Sequence, residues 1–242
     1  MIYPLKINET YINGKNILIT GGTGSFGNQM VDTLLKYKPN KIIIFSRDEF
    51  KQFLMKKKYN PSKYSCLRYF IGNIRDYERL NTAFRGVDII FHSAALKQVP
   101  AMEYNPSEAI KTNIYGAENV IRAAINNNVQ RVIAISTDKA VAPVNLYGAT
   151  KMCFEKLFLA ANNVIGDRDI RFSVMRYGNV FGSRGSVVPL FLKQSENDEF
   201  TITDKRMTRF TITLADAINF VLNCSYKMIG GCLLYTSPSP RD

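Results

Sequence analysis

Six short apolar runs, separated by stretches with helical periodicity, set the narrowest limit on what this chain can fold into. The runs are NILIT (16–20), KIIIFS (41–46), CLRYFIG (66–72), VDIIFHSA (87–94), VIAIST (132–137) and IRFSVMRY (170–177). Helical patterns fill 27–37, 48–58, 76–84, 107–127 and 148–163 between them. A strand that is apolar along its whole length is buried on both faces, and a helix between successive strands makes them parallel. The expected class is therefore α/β, with a doubly wound parallel sheet over residues 1–178. After Tyr177 the pattern loosens into a glycine-containing loop (178–186), a short helix near 187–195, a TIT strand at 201–203 and a helix over 214–225. Residues 179–231 thus read as part of a smaller C-terminal substrate lobe.

The last eleven residues, CLLYTSPSPRD (232–242), show neither period and follow Gly230-Gly231 abruptly. They back-translate residue for residue into a transposase-type sequencing-library adapter. The expectation is an artefact, left out of the fold reading, with the natural chain continuing past residue 231.

The first strand runs directly into T-G-G-T-G-S-F-G at 20–27, where a helix opens. Gly21, Gly24 and Gly27 then have separate duties: a tight turn, close approach of backbone to a pyrophosphate, and close packing of helix on strand. With Thr23, Ser25 and Phe26 they form a phosphate cradle at a helix N-terminus, where free N–H groups and the helix dipole favour anions. The sheet is accordingly of Rossmann type and binds a dinucleotide. At the tip of the second strand, F-S-R-D-E (45–49) carries no acidic residue where an NAD-selective site holds the ribose hydroxyls. Ser46 and Arg47 suit the 2′-phosphate of NADP, while Asp48 leaves NAD open. Asn73 and Ile74, after the third strand, are placed at the adenine. Ala94 and Ala95, after the fourth, leave room for the nicotinamide half. His92 reads as a packed strand-end residue rather than a catalyst.

The fifth strand delivers S-T-D-K-A (136–140), and Y-G-A-T-K follows at 147–151. Tyr147 and Lys151 lie four apart and share a helix face. An ammonium beside the phenol, with an oxidised nicotinamide near, lowers its pKa and lets it take a proton from a hydroxyl, with Thr137 hydrogen-bonded to the same oxygen. Asp138 and Lys139 add an acid and a base of different reach.

The order TGGTGSFG, SRDE, AALKQVP, EYNP, KTNIYGAENV, STDKA, NLYGATK, RYGNVFGSRGSVVP and ITDKRMTRF resembles the inverting UDP-N-acetylglucosamine 4,6-dehydratases, extended short-chain dehydrogenase/reductases that initiate pseudaminic acid synthesis. The likeness spans residues 10 to 231 and departs from the family at Asn73 (commonly Asp) and Gln98 (commonly His). It implies NADP as cofactor and UDP-N-acetylglucosamine as substrate. Tyr147 and Lys151 would serve oxidation at carbon 4, Lys139 would remove the carbon 5 proton, and Asp138 would protonate the departing 6-hydroxyl. Lys97, Asn179, Val187, Thr203 and Arg209 would hold the nucleotide sugar. A 4-epimerase or reductase of the same superfamily would share the Tyr-Lys pair without needing Asp138 and Lys139. A non-catalytic NADP-binding sensor would often lack the pair altogether.

Composition narrows the remaining choices. No apolar run approaches the roughly 20 residues a membrane span requires, and the N-terminus lacks a signal-peptide pattern. Four cysteines without C-x-x-C spacing and one histidine point to free thiols in the cytoplasm and no metal site. The net charge of +12 is spread along the chain, with KKK at 56–58 the only run. It suits a diphosphate-bearing substrate, so nucleic acid is not expected as a partner, and the lack of a span leaves no membrane partner expected either. A full-length form is expected to be a homo-oligomer.

Overall fold

The computed structural model describes residues 4, 6–182, 187–197, 200–202 and 204–235, with the backbone alone at 187, 189 and 197. Strands β1 (Asn16–Thr20), β2 (Lys41–Ser46), β3 (Leu67–Ile71), β4 (Ile89–His92), β5 (Arg131–Thr137) and β6 (Arg171–Tyr177) alternate with helices. These are α1 (Ser25–Leu34), α2 (Glu49–Lys58), α3 (Tyr77–Ala83), α4 (Val99–Tyr104), α5 (Pro106–Ile110), α6 (Gly116–Asn126) and α7 (Leu146–Ala160). Beyond them come a two-residue strand β7 (Asn179–Val180), α8 (Val187–Gln194), a two-residue β8 (Thr211–Ile212), α9 (Leu214–Lys227) and β9 (Cys232–Tyr235). Seven strands form one parallel sheet in the order β3-β2-β1-β4-β5-β6-β9, and β7 pairs with β8 apart from it.

Strand pleating divides the apolar residues between two cores. Leu18, Ile43, Ile90, Val132 and Val174 point to the face covered by α3, α6 and α7, where Leu80, Val120, Phe154 and Phe158 meet them. Ile17, Ile19, Ile42, Ile44, Ile133 and Met175 point to the opposite face, against Met30 and Val31 of α1, Met55 of α2 and Ile218, Val221 and Leu222 of α9. The helices begin where a polar side chain takes a free N–H: Asp48 caps α2, Asp76 caps α3, Asn145 caps α7 and Thr213 caps α9.

Three sequence expectations are corrected here. Helix α9 had been assigned to the second lobe, but its buried face completes the same core as α1 and α2. Residues 232–235, left out of the fold reading, hydrogen-bond to β6 as its parallel neighbour, from Ser173 with Cys232 to Arg176 with Tyr235. The open edge of β6 offers unpaired backbone groups, and a short apolar segment satisfies them without needing an alternating pattern. The strand expected at 201–203 is absent from the described pair Thr201–Ile202, which is irregular; Thr203 itself lies outside the described residues.

The segment before β1 fastens onto α9. Asn223 Nδ2 donates to the Pro4 carbonyl at 2.9 Å and its Oδ1 accepts from the Lys6 N–H at 2.7 Å. Tyr11 meets Tyr226 edge-on at 5.3 Å between ring centres. Ile218 is fully buried in the core shared with β1 and α1. Ile218→Ala should therefore cost about 2–5 kcal/mol in a chemical unfolding titration; a change below about 0.5 kcal/mol would return α9 to a separate, loosely held lobe.

Candidate functional site

The doubly wound order sends α1 to one face after β1 and the next chain segments to the other after β4, which opens a crevice at the strand ends. Gly21 makes the turn out of β1 with φ +66°, and a Cβ there would lie 3.0 Å from the Ala94 backbone. The turn and the exit of β4 are thus in contact, a closeness only glycine permits. Gly24 caps α1, and Ser25 and Phe26 are its first residues. At Gly27 the close neighbour is the Gly22 carbonyl, 2.2 Å from where a Cβ would be, so this glycine packs the helix on the turn rather than on the strand.

An open cleft of about 230 Å³ follows the strand ends and gathers Gly21, Thr23, Ser46, Arg47, Asp48, Asn73, Ile74, Ala94 and Ala95. Sequence reasoning missed Phe45, Lys51, Gly72, Leu96 and Thr112, which line it too. Lys51 had a signal, standing four residues after Arg47 on the first turn of α2. Thr112 had none, since it arrives from a distant helix. The Ser46 hydroxyl oxygen accepts from Gln52 Nε2 at 3.0 Å, which leaves its own proton to donate into the cleft. Arg47 has no ion-pair partner among the described residues. Asp48 accepts the Lys51 N–H at 2.9 Å and its ammonium at 2.7 Å, and these contacts hold its carboxyl below the usual range. Asn73 Oδ1 accepts from the Arg75 N–H at 3.1 Å. Helix 107–127, read as continuous, is interrupted by a π-helical turn at Lys111–Tyr115. That turn aims Asn113 inward, where it accepts from the Leu96 N–H at 2.8 Å and donates to the Leu96 carbonyl at 2.9 Å. The π-turn thereby pins one wall of the cleft.

The second group of residues sits where β5 ends. Residues Asp138–Ala140 form a 3₁₀ turn, and the first turn of α7 lies so close that a Cβ at Gly148 would be 2.2 Å from the Lys139 carbonyl. This approach, which the Tyr-x-x-x-Lys spacing alone does not reveal, brings Tyr147 to Thr137. The Thr137 hydroxyl is close enough to bear on the phenol. Thr137 Oγ1 donates to Asp138 Oδ1 at 2.9 Å, Lys139 Nζ donates to the same oxygen at 3.0 Å and to Asn179 Oδ1 at 2.8 Å. Thr137, Asp138, Lys139 and Asn179 therefore form one continuous polar chain, with Tyr147 beside its Thr137 end. Asn179 is set by β7, whose N–H bonds to the Phe210 carbonyl at 2.8 Å. Lys97 is exposed, and the exposed Arg209 donates to the Thr208 carbonyl at 2.7 Å. Neither joins the chain. Val187 opens α8, and Thr203 is outside the described residues.

The protein's own groups act on Tyr147 in opposing directions. Burial, assisted by the Asp138 charge, raises the phenol to about 12 against the lowering effect of the Thr137 hydroxyl. Lys151 does not offset this, because its ammonium donates to the Ile135 carbonyl at 2.6 Å and lies 3.3 Å from the centre of the Phe154 ring. Burial lowers Lys151 to about 7, opposed by the negative charge of Glu155. Glu155 is itself buried, paired with Arg176 at 2.5 Å and accepting from Ser136 Oγ at 2.5 Å.

His92 has the role read from the sequence. Its Nδ1 meets Thr20 Oγ1 at 2.6 Å, and its ring stacks on Phe154 at 5.4 Å. Burial, with Lys151 nearby, pushes it down to about 3. As the single histidine, it gives unambiguous imidazole proton resonances in an NMR titration. These should stay unshifted from pH 8 to pH 5; a midpoint near the ordinary value of ~6.5 would contradict the buried neutral ring.

Comparison with known proteins adds the following. The family described as "Polysaccharide biosynthesis protein" matches residues 17–237. A protein of Campylobacter jejuni subsp. jejuni named "UDP-N-acetylglucosamine 4,6-dehydratase (inverting)" is 60% identical over 222 residues, 90% of this chain and 66% of the relative. A Rickettsia typhi protein named "UDP-glucose 4-epimerase" is 49% identical over 86% of this chain and 62% of its own length. The solved structure of Pen from Bacillus thuringiensis superposes with a TM-score of 0.88 at 42% identity, covering 91% of this chain and 68% of that one. The chain thus spans about two thirds of the length of the relatives it matches. No helix among the described residues is long and apolar enough to cross a membrane.

Proposed function

We propose that this chain, which belongs to the polysaccharide biosynthesis protein family, is the cofactor-binding and reacting part of an NADP-dependent enzyme that dehydrates UDP-N-acetylglucosamine. The product would be a UDP-4-keto-6-deoxy-hexosamine with carbon 5 inverted, made in the cytoplasm by a homo-oligomer for pseudaminic acid or a related surface glycan. The observation that carries the reading is the bonded pair Asp138 and Lys139, held next to Thr137 and Tyr147 and tied to Asn179. Oxidation at a sugar carbon needs Tyr147 and Lys151 only; loss of water needs an acid and a base besides.

The cleft residues fit a dinucleotide phosphate. The Gly21 turn leaves no room for a side chain beside Ala94, backbone N–H groups open α1 there, and Ser46 and Arg47 stand at the tip of β2 with a free hydroxyl proton and an unpaired guanidinium. Lys51 adds a second cation and neutralises Asp48, which would otherwise repel a 2′-phosphate. NADP, when bound, supplies a hydride acceptor for carbon 4 of the sugar and a hydride donor for carbon 6.

The chain's own residues move the protons. Tyr147 takes the proton of the 4-hydroxyl, which requires a positive charge to bring its raised pKa down; Lys151, turned from the Ile135 carbonyl towards the phenol, would provide one. Asp138 and Lys139 stand 3.0 Å apart, and the elimination requires them as a carboxylic acid and a neutral amine. Lys139 can then remove the carbon 5 proton, acidified by the adjacent ketone, while Asp138 protonates the 6-hydroxyl as it leaves as water. Lys97, Asn179, Val187, Thr203 and Arg209 are proposed to hold the nucleotide sugar. The resemblance to proteins named UDP-glucose 4-epimerase favours a second reading, in which the sugar is epimerised at carbon 4 and no water is lost.

Two experiments decide between these readings and test the cofactor. Arg47→Ala should weaken NADP binding by about 1.5–3 kcal/mol in calorimetry while leaving NAD binding nearly unchanged; equal loss for both cofactors would remove the NADP assignment. In deuterated water with UDP-N-acetylglucosamine, NMR should show a 4-keto-6-deoxy product carrying deuterium at carbon 5. Lys139→Ala should suppress that deuterium incorporation, and Tyr147→Phe should stop the reaction before it. A product that keeps its 6-hydroxyl and differs only at carbon 4 would establish the epimerase reading instead.

A further inference from the structure

The lysine run that the cofactor site leaves unused lies on α2, together with an apolar stripe. Gln52, Met55 and Tyr59 face the core, and every other residue of the helix is exposed. Phe50, Phe53, Leu54 and Lys57 recur at the spacing of one helix face, directly opposite the buried side. The three apolar side chains are 63%, 50% and 48% exposed. The two phenyl rings stack 6.3 Å apart, and Lys57 Nζ sits 4.4 Å over the Phe53 ring. Lys56 and Lys58 flank the stripe, and Lys63 and Arg68 follow in the next loop and strand. Between residues 47 and 68 there are seven basic and two acidic residues. Lys51 and Lys58 are paired with Asp48 and Asp32, whereas Lys56, Lys57 and Lys63 have no acidic partner among the described residues.

We propose that this face of α2 docks the protein peripherally on an anionic membrane surface, with Phe50, Phe53 and Leu54 entering the interface and the lysines meeting lipid phosphates. The expectation of no membrane partner rested on the lack of a span, and a helix lying in the interface needs none. An apolar ridge bordered by unpaired lysines is the arrangement such a surface binds, each lysine near it contributing about a fivefold gain in partitioning. A second copy of the same face is disfavoured, because it would bring two lysine runs together. Stacking of nucleic-acid bases is disfavoured too, because Lys57 already covers the Phe53 ring.

The test is co-flotation of the 242-residue protein with phosphatidylcholine vesicles and with vesicles containing phosphatidylglycerol. Flotation should occur with the anionic vesicles only and fall as salt is raised. A triple Phe50→Ser, Phe53→Ser, Leu54→Ser variant should lose at least tenfold in partitioning, and a triple Lys56→Gln, Lys57→Gln, Lys63→Gln variant on the order of a hundredfold. None of these residues lines the cleft, and unchanged thermal unfolding midpoints would show that both variants fold. No flotation with the anionic vesicles overturns the proposal, as does flotation that both folded variants retain. A light-scattering mass that doubles for the wild type and not for the serine variant, without vesicle binding, gives the face to a second copy and overturns it as well.

Discussion

Parallel strands all finish at the same edge of their sheet, and everything chemical in this protein sits along that edge. The seven-stranded order places the ends of β1, β2, β3 and β4 beside one another, so that the glycine turn, the Ser46-Arg47 tip, Asn73 and the Ala94-Ala95 exit line one cleft. The end of β5 then brings Thr137, Asp138 and Lys139 to the next position on that edge. Because the strands are buried on both faces, their register is fixed by two cores at once. The strand-end residues inherit that precision without needing many interactions of their own.

The two halves of the site are positioned by different means. Backbone close approach governs the cleft, where Gly21 meets Ala94 and Asn113 clamps Leu96. Side-chain bonding governs the proton-moving half, in which four residues from β5, the 3₁₀ turn and β7 form one polar chain with Tyr147 of α7 beside it. Beside it, the buried Glu155 pairs with Arg176 and accepts from Ser136, and its charge bears on Lys151. Removing one member of such a buried pair leaves an uncompensated charge, so the base of α7 tolerates little change.

Much of this was legible in the residues. The bounds of β1 and β2 agree with their apolar runs to the residue, because each run ends in a turn signal. The glycine spacing and the Thr137…Tyr147…Lys151 order located both halves of the edge. What escaped depended on contacts between distant segments. The π-turn at 111–115 has no local signature, and Thr112 reaches the cleft only through it. The raised phenol of Tyr147 follows from burial and from where the Lys151 ammonium settles, neither of which a four-residue spacing specifies. Helix α9 and β9 were misassigned because position in the chain was taken for position in space: an amphipathic helix fits any apolar face, and here the open one was beside α1.

The fastening of Pro4, Lys6 and Tyr11 to α9 joins parts of the chain more than 200 positions apart, Lys6 and Asn223 being separated by 217. On a ribosome adding roughly 5–20 residues per second, the opening segment would wait about 10–40 seconds for its partner to be made. During that interval β1 to β6 can assemble from neighbours already synthesised, while the core face destined for α9 stays uncovered. Between emergence of β6 and emergence of α9, that one apolar face of the nascent chain stays open to association.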